Sequence, residues 1–356
     1  MNLFYASFIP GLQNVIADVI KERLLDVVIH KLLDGAVIFE TAVTYDKLNF
    51  FCFNNIFAMI DLFDEILAKA QRRKDREELL LENYIENIID NFTDSEVISN
   101  NSKNIQTFRI VVSSENSPAA IGEKLRVEAE KYISRLSGLK PDRSKPDTEF
   151  WFLYRKEKDN NDFFIFMKRL TLRSSWEKTL HKGELPPPLA WTLCRLANLV
   201  HSDTVLDPFC GYGSIPHSAL KHFHIKKFIA CDNNKEAAFY TMSKFTKNKK
   251  DNFIFYKNDF FDLPSFIPEK SIDVIITDPP WGQYRSVVPE TNDSENNFYE
   301  KMFDVFGRLL KDGGRAVILF LKDFDIKMIL SCFEIKNSVP VLLSGKKAVI
   351  YVLEKN

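Results

Sequence analysis

"TVLDPFCGYGSIPHSALKHF" (residues 204–223) packs the signals of a strand, a tight turn and a helix into one short stretch. The apolar run ends at Asp207, glycines follow at 211 and 213, and helical spacing begins at once. That order is the opening unit of a doubly wound sheet, with the turn at the carboxyl edge of a buried strand. Glycines there tolerate left-handed backbone and let a ligand approach the main chain closely. Position 216 is Pro, so the stretch is no GxGxxG fingerprint, and no GK[ST] follows to cradle a triphosphate. Both observations point away from nicotinamide dinucleotides and nucleoside triphosphates.

Working outward from this unit, strands and helices alternate to the end of the chain. "KFIACD" (227–232), "FIFYKND" (253–259), "IDVIITDPP" (272–280) and "GRAVILFL" (314–321) read as strands. "KEAAFYTMSKFTKNK" (235–249) and "NFYEKMFDVFGRLLK" (297–311) read as the helices between them. "VPVLLSG" and "KAVIYVLE" close the chain as a hairpin. The expected class is α/β, a Rossmann-like domain with a mostly parallel sheet and an antiparallel C-terminal hairpin. Its second strand ends in Asp232, 19 residues beyond Gly213, where a carboxylate accepts hydrogen bonds from ribose hydroxyls. Asp259, after the third strand, is placed to meet an adenine amino group. Nucleoside contacts without a phosphate loop suit S-adenosylmethionine.

The fourth strand runs into "DPPW", Asp278 to Trp281. Prolines cannot donate to a ladder, so the strand ends there and the chain leaves the sheet stiff and extended. An exocyclic amine on a nucleobase is a poor nucleophile, because its lone pair is delocalised into the ring. A carboxylate and a rigid main-chain carbonyl that accept its two N–H hydrogens orient the lone pair toward an electrophile. The aromatic ring offers an extruded base a face to stack on. Adenine and guanine both present such an amine, so the motif does not separate them.

The remaining sequence reads as two smaller α+β modules. "NLFYASFIP" is strand-like, "GLQNVIADVIKERL" helical, "DVVIHKLLDGAVIFETA" a hairpin and "CFNNIFAMIDLF" a further apolar run. A long helix is expected over "DEILAKAQRRKDREELLLENYIENIIDNF", then a polar loop, "TDSEVISNNSKNIQ". "TFRIVVSS" is a strand, "AAIGEKLRVEAEKYISRL" an amphipathic helix, and "EFWFLYRKE" pairs with "DFFIFMKRL". Overall net charge is −1, but residues 101–182 carry 17 Lys and Arg against 11 Asp and Glu. That local excess suits a polyanion. The five cysteines form no CxxC pair, which fits reduced thiols in a cytoplasm, and "HFH" (222–224) has no ligand cluster around it, so no metal is expected. No apolar run reaches membrane-spanning length. Cys210 is read as buried filler rather than a nucleophile.

"DPFCGYG" ahead of "DPPW" resembles the class I S-adenosylmethionine-dependent RNA guanine-N2 methyltransferases. The stretch from "TFRIVVSS" to "DFFIFMKR" is similar to a THUMP domain, an RNA-binding module of tRNA-modifying enzymes, and the first 60 or so residues resemble its ferredoxin-like companion. The resemblance implies a ferredoxin-like domain at 1–60, THUMP at 61–170, a linker at 171–188 and the methyltransferase domain at 189–356. It implies a cofactor site of Asp207, Pro208, Phe209, Gly211, Gly213, Asp232, Asn233, Asp259, Phe260 and Asp278. Asp278, Pro279, Pro280 and Trp281 would position the target base, and no metal takes part. Lys168, Arg169, Arg173, Lys178 and Lys182 would lie on the RNA path as phosphate contacts. The implied substrate is guanine-N2 in a tRNA acceptor stem, and the implied form a cytoplasmic monomer, with an activator subunit left open.

Two departures stand out. The family commonly has Ser-Gly-Thr where this chain has Tyr212-Gly213-Ser214, and Tyr or Phe is commoner than Trp at 281. The alternatives to guanine-N2 transfer in tRNA are an adenine-N6 or rRNA guanine-N2 methyltransferase, and an RNA-binding protein of the same fold without turnover. A small-molecule amine or protein glutamine methyltransferase would leave the basic module unexplained.

Overall fold

The computed structural model describes residues 1–44, 47–48, 50–64, 77–93, 96–99, 104–115, 117–156, 162–171, 180–246, 251–280, 292–321 and 332–356. Two compact units emerge. The first holds residues 1–7, 17–49 and 53–174, and the second holds 8–16, 50–52 and 175–356. Among the described residues, no helix is long and apolar enough to cross a membrane.

In chain order the N-terminal elements are β1 (Asn2–Ser7), α1 (Gln13–Arg23), β2 (Val28–Leu33), β3 (Ala36–Thr41), β4 (Asn55–Asp64), α2 (Glu77–Asn91) and α3 (Glu96–Ser99). They continue with β5 (Thr107–Ser114), β6 (Ser117–Pro118), α4 (Glu123–Ser137), β7 (Lys140–Pro141), β8 (Thr148–Arg155) and β9 (Phe163–Arg169). The strands make one sheet in the order β2-β3-β1-β4-β9-β8-β5-β6, with β7 beside β5. The domain boundary expected at residue 60 falls inside β4, which pairs with β1 on one edge and β9 on the other.

Both faces of the middle strands are covered by apolar side chains. Leu81, Tyr84, Ile85 and Ile88 of α2, with Leu125, Ala129 and Ile133 of α4, pack on Phe108, Phe150, Phe152, Phe164 and Phe166. Phe163, Ile165 and Met167 alternate to the opposite face, where they join Tyr5, Ile38, Phe57 and Met59. A strand covered on both faces reads as a continuous apolar run, as "FFIFM" does. The loop expected over 93–106 contains the one-turn helix α3, because Val97 and Ile98 are buried. The long helix expected from residue 64 is seen from Glu77 onward; residues 65–76 lie outside the described set.

The C-terminal unit follows the expected alternation. Its elements are α5 (Pro187–Leu196), β10 (Thr204–Asp207), α6 (Ser214–His222), β11 (Lys227–Cys231), α7 (Lys235–Thr246), β12 (Phe253–Tyr256), a 3-10 helix (Phe260–Ser265), β13 (Ile272–Thr277), α8 (Asn292–Leu309), β14 (Leu310–Leu321), β15 (Phe333–Leu343) and β16 (Lys346–Lys355). The prolines of "PPP" open α5: Pro186 is its N-cap and Pro187 and Pro188 fill the first turn, where the missing amide hydrogens cost nothing. The sheet order is β12-β11-β10-β13-β14-β16-β15. β10 to β14 pair in parallel, while β16 runs antiparallel to both β14 and β15. This is a class I methyltransferase fold.

The chain direction across the sheet reverses between β10 and β13. A crevice opens at such a switch point, outside the carboxyl ends of the strands. Asp207 ends β10 and Asp278 follows β13, so the fold itself brings the two sequence motifs to one place. α8 closes the layer beside β13, with Tyr299, Met302, Phe303 and Phe306 buried in the core formed with Ile275, Ile318 and Phe320.

Candidate active site

Asp207 is fully buried at the tip of β10. Its Oδ1 accepts hydrogen bonds from Thr277 Oγ1 at 3.0 Å and from the Phe209 amide at 3.3 Å. Its Oδ2 is buried and has no hydrogen-bond partner. Burial pushes the carboxyl well above the usual carboxylate range, and the nearby Asp232 and Asp278 carboxylates push the same way. The Thr277 bond ties the end of β10 to the end of β13, one residue before Asp278. Thr277 was not singled out in the sequence, where it reads as one more β-branched strand residue.

The turn after β10 is held from three sides. The Cys210 amide donates to the Cys231 carbonyl at 2.9 Å, anchoring the turn to β11. The Gly211 amide donates to Asp232 Oδ2 at 2.7 Å, and Thr241 Oγ1 donates to the Gly211 carbonyl at 2.9 Å. Gly211 and Gly213 both have positive φ, at 50° and 80°. A Cβ on Gly211 would meet nothing within 4 Å, whereas one on Gly213 would stand 3.0 Å from Thr241 Oγ1. The first glycine therefore borders open space and the second a packed helix. Pro208 is buried in the same turn. Cys210 is buried as well, and burial raises its thiol well above the ordinary value, which suits packing rather than nucleophilic chemistry.

Asp232 is half-buried, and burial raises its carboxyl above the ordinary value despite hydrogen bonds from the Gly211 and Asn234 amides. Asn234 in turn accepts from the amides of Glu236 and Ala237, starting α7. Asn233 is exposed and donates through Nδ2 to Asp259 Oδ2 at 3.3 Å. Asp259 caps the 3-10 helix by accepting from the Phe261 amide at 3.0 Å. The rings of Phe209 and Phe260 lie 4.7 Å apart, and Phe298 of α8 stands 6.2 Å from Phe209. Hydrogen bonds and a ring contact thus join Asp207 to Phe209, Phe209 to Phe260, Gly211 to Asp232 and Asn233 to Asp259 among the expected cofactor residues.

Pro279 is buried, and the Pro280 carbonyl accepts a hydrogen bond from the Tyr299 hydroxyl at 2.9 Å. Tyr299 was not anticipated; in "NFYEKMF" it looks like any core residue of an amphipathic helix. Trp281 lies outside the described residues, as do Arg173 and Lys178. Lys182 is exposed.

Lys168 and Arg169 correct the sequence reading. Both are buried, because β9 continues to Arg169 in the middle of the sheet between β4 and β8. Lys168 Nζ donates to the Val97 carbonyl at 3.0 Å, and burial lowers its pKa to about 8. Arg169 pairs with Glu149 at 3.1 Å, and Glu149 also pairs with Arg109 at 2.5 Å. Their charges are spent inside the sheet, so neither faces a phosphate.

The arrangement suits a nucleoside that carries positive charge. Asp207, Asp232 and Asp278 lie within electrostatic reach of one another beside a turn with open space at Gly211, an acidic setting that disfavours phosphate and suits hydroxyl and ammonium donors. Asp207 Oδ2, buried with no partner among the described residues, is a polar group that a bound ligand can satisfy. The residues present therefore fit S-adenosylmethionine.

Comparison with known proteins gives the following likenesses. Residues 174–341 match the profile of the family described as UPF0020: RMKL-like, methyltransferase domain. The tRNA (guanine(10)-N2)-dimethyltransferase of Methanocaldococcus jannaschii is 29% identical over 226 residues, covering 58% of this chain and 60% of that protein. The U6 snRNA (guanine-N(2))-methyltransferase THUMPD2 of Homo sapiens is 26% identical over 136 residues, covering 38% of this chain and 25% of that protein. The chain thus spans 60% or less of the length of these two relatives. Among solved structures, TrmN from Thermus thermophilus superposes over 100% of both chains with a TM-score of 0.75 and 20% identity, a likeness of fold.

Proposed function

We propose that the chain is an S-adenosylmethionine-dependent RNA methyltransferase acting on the exocyclic N2 amine of a guanine, in tRNA; the match of residues 174–341 to the UPF0020 methyltransferase-domain profile supports the reaction class. The observation that carries this reading is the hydrogen bond between Asp207 and Thr277. It joins the two motif-bearing strands at the switch point, which supports reading the acceptors of the "DPP" turn as partners of the nucleoside site. The named activities of the archaeal and human relatives, both guanine-N2 transfers to RNA, support the choice of base.

When bound, the cofactor supplies an electrophilic methyl group on a sulfonium. Gly211 and Gly213 would admit it along the turn formed with Pro208 and Phe209, and Asp207 would receive one of its donors. Asp232 with Asn233 would hold the ribose, and Asp259 with Phe260 the adenine. Asp278 and the Pro279 carbonyl accept the N–H hydrogens of the guanine amine and aim its lone pair. Pro280 stiffens the turn, and Trp281 is assigned the stacking face. The N-terminal unit serves as the RNA-binding part, a THUMP module with its ferredoxin-like companion, consistent with the excess of positive charge in 101–182. Lys182, which is exposed, with Arg173 and Lys178, are the phosphate contacts this reading retains.

The test is nucleoside mass spectrometry of tRNA and bulk RNA incubated with purified protein and labelled S-adenosylmethionine, with Asp278→Ala as control. Labelled N2-methylguanosine in tRNA is the expected product. Labelled N6-methyladenosine would overturn the base assignment, and label confined to rRNA would overturn the substrate. RNA binding without label would leave a non-catalytic role. Light scattering of the pure protein checks the expected monomer.

A further inference from the structure

Tyr212 departs from the pattern its turn resembles, and the structure gives its ring a partner. The ring lies flat on His181, with centroids 4.1 Å apart and planes 5° from parallel. Tyr240 of α7 meets both rings edge-on, 4.7 Å from His181 and 5.7 Å from Tyr212. Glu184 completes the contact. Its Oε2 accepts from the His181 amide at 3.1 Å, and its Oε1 lies 3.4 Å from Ser214 Oγ, at the start of α6. The Tyr212 hydroxyl reaches Glu236 Oε1 at 3.4 Å.

We propose that the stacked His181 and Tyr212 rings form a latch that fixes residues 181–184 against the glycine turn, and that the affinity of this chain for S-adenosylmethionine depends on it. The inference rests on the methyltransferase reading. Tyr212 is the one side chain between two glycines in left-handed conformation, the residues with most backbone freedom to lose on ordering. Pinning its ring orders both neighbours before any ligand arrives. The same turn carries the Gly211 amide that holds the Asp232 carboxylate at 2.7 Å, so a loosened turn also releases Asp232. Ordering a site in advance raises affinity without adding a contact to the ligand. A Ser at 212 supplies no ring, and nothing else in the turn replaces it.

The experiment is calorimetric titration of the full chain with S-adenosylhomocysteine. His181→Ala and Tyr212→Ser are each expected to bind about five- to tenfold more weakly, the range set by one aromatic pair. The double variant is expected to bind no more weakly than the weaker single, because each change removes the same contact. His181→Phe and Tyr212→Phe keep a stacking ring and are expected near wild type. Unchanged binding in Tyr212→Ser, losses that multiply in the double variant, or a Tyr212→Phe as weak as Tyr212→Ser would each overturn the latch. Should His181→Ala fail to fold, Tyr212→Leu against Tyr212→Phe decides the same point: equal affinities overturn the proposal and a weaker Leu variant supports it. A wild-type protein that does not bind S-adenosylhomocysteine overturns the methyltransferase reading together with the latch. Wild-type binding with unaffected variants removes the latch alone.

Discussion

The Tyr299 hydroxyl donates a hydrogen bond to the Pro280 carbonyl at 2.9 Å, so a buried side chain of α8 holds the turn that carries Asp278. Phe at 299 keeps the ring contact with Phe320, at 5.0 Å, and removes this bond. Tyr299→Phe is expected to lower kcat about fivefold to tenfold, the worth of one hydrogen bond, with KM for both substrates nearly unchanged. Steady-state kinetics with melting curves checks this. A rise in KM at constant kcat would mean that the bond serves substrate binding instead.

Asp278 is assigned the acceptor for the target amine. Asp278→Ala is expected to reduce methyl transfer by about a hundredfold or more while RNA affinity stays within twofold, as losses of preorganised polar groups commonly do. Single-turnover transfer measured beside a filter-binding curve separates the two. Transfer at the wild-type rate would remove Asp278 from the mechanism.

The two turn glycines are expected to differ. An Ala at 213 would bring its Cβ within 3.0 Å of Thr241 Oγ1 and 3.3 Å of Phe245 Cε2, on a backbone already at φ 80°. An Ala at 211 meets no neighbour and carries only the left-handed strain of about 1–2 kcal/mol. Gly213→Ala is therefore expected to melt at lower temperature than Gly211→Ala. Gly211→Ala, whose methyl enters the open side of the turn, is expected to impair S-adenosylhomocysteine binding by more than its stability loss explains. Calorimetric titration and thermal melts of both variants test the contrast, and equal effects on both quantities would contradict it.

Buried Lys168, with its pKa lowered to about 8 by desolvation, gives a stability signature in alkali. Between pH 8 and the unfolded value of 10.5 the unfolded chain binds more protons than the folded one, so stability rises with pH across that window. The gain has a ceiling of about 3 kcal/mol at full deprotonation. Lys168→Met lacks this term, so its urea midpoint is expected to stand highest relative to wild type at neutral pH and to lose that lead as pH approaches 10.5. Parallel curves at all pH values would show that Lys168 is solvated as an exposed lysine would be.

Much of the C-terminal half was legible because its signals are local. Gly211 and Gly213 mark a turn by their own conformational freedom, the "PPP" before α5 marks a helix start, and "DPP" ends β13 by removing donors. What stayed hidden depends on contacts between distant residues. Thr277 and Tyr299 look ordinary until the sheet sets one beside Asp207 and α8 sets the other beside Pro280. Lys168 and Arg169 misled for the same reason. A basic pair after an apolar run reads as the start of a polar linker, and distant partners make their burial tolerable: Glu149, twenty residues upstream on a paired strand, and Asn55 for Arg169, and the Val97 carbonyl for Lys168. The short α3 was missed because two apolar residues, Val97 and Ile98, are too few to set a period.

The placement of β4 also governs the order in which the chain can fold during synthesis. Its register runs from Phe57 with Arg169 to Asp64 with Phe163, so that edge of the strand waits for residues made about a hundred positions later. At about 5–20 residues per second, translation leaves that edge bare for several seconds. Meanwhile "NIFAMIDLF" presents one unpaired edge of an apolar strand to every neighbouring nascent chain. Fragments ending near residue 64 should therefore be sticky rather than autonomous, and the efficiency with which full-length protein matures will depend on how quickly β9 arrives to cap them.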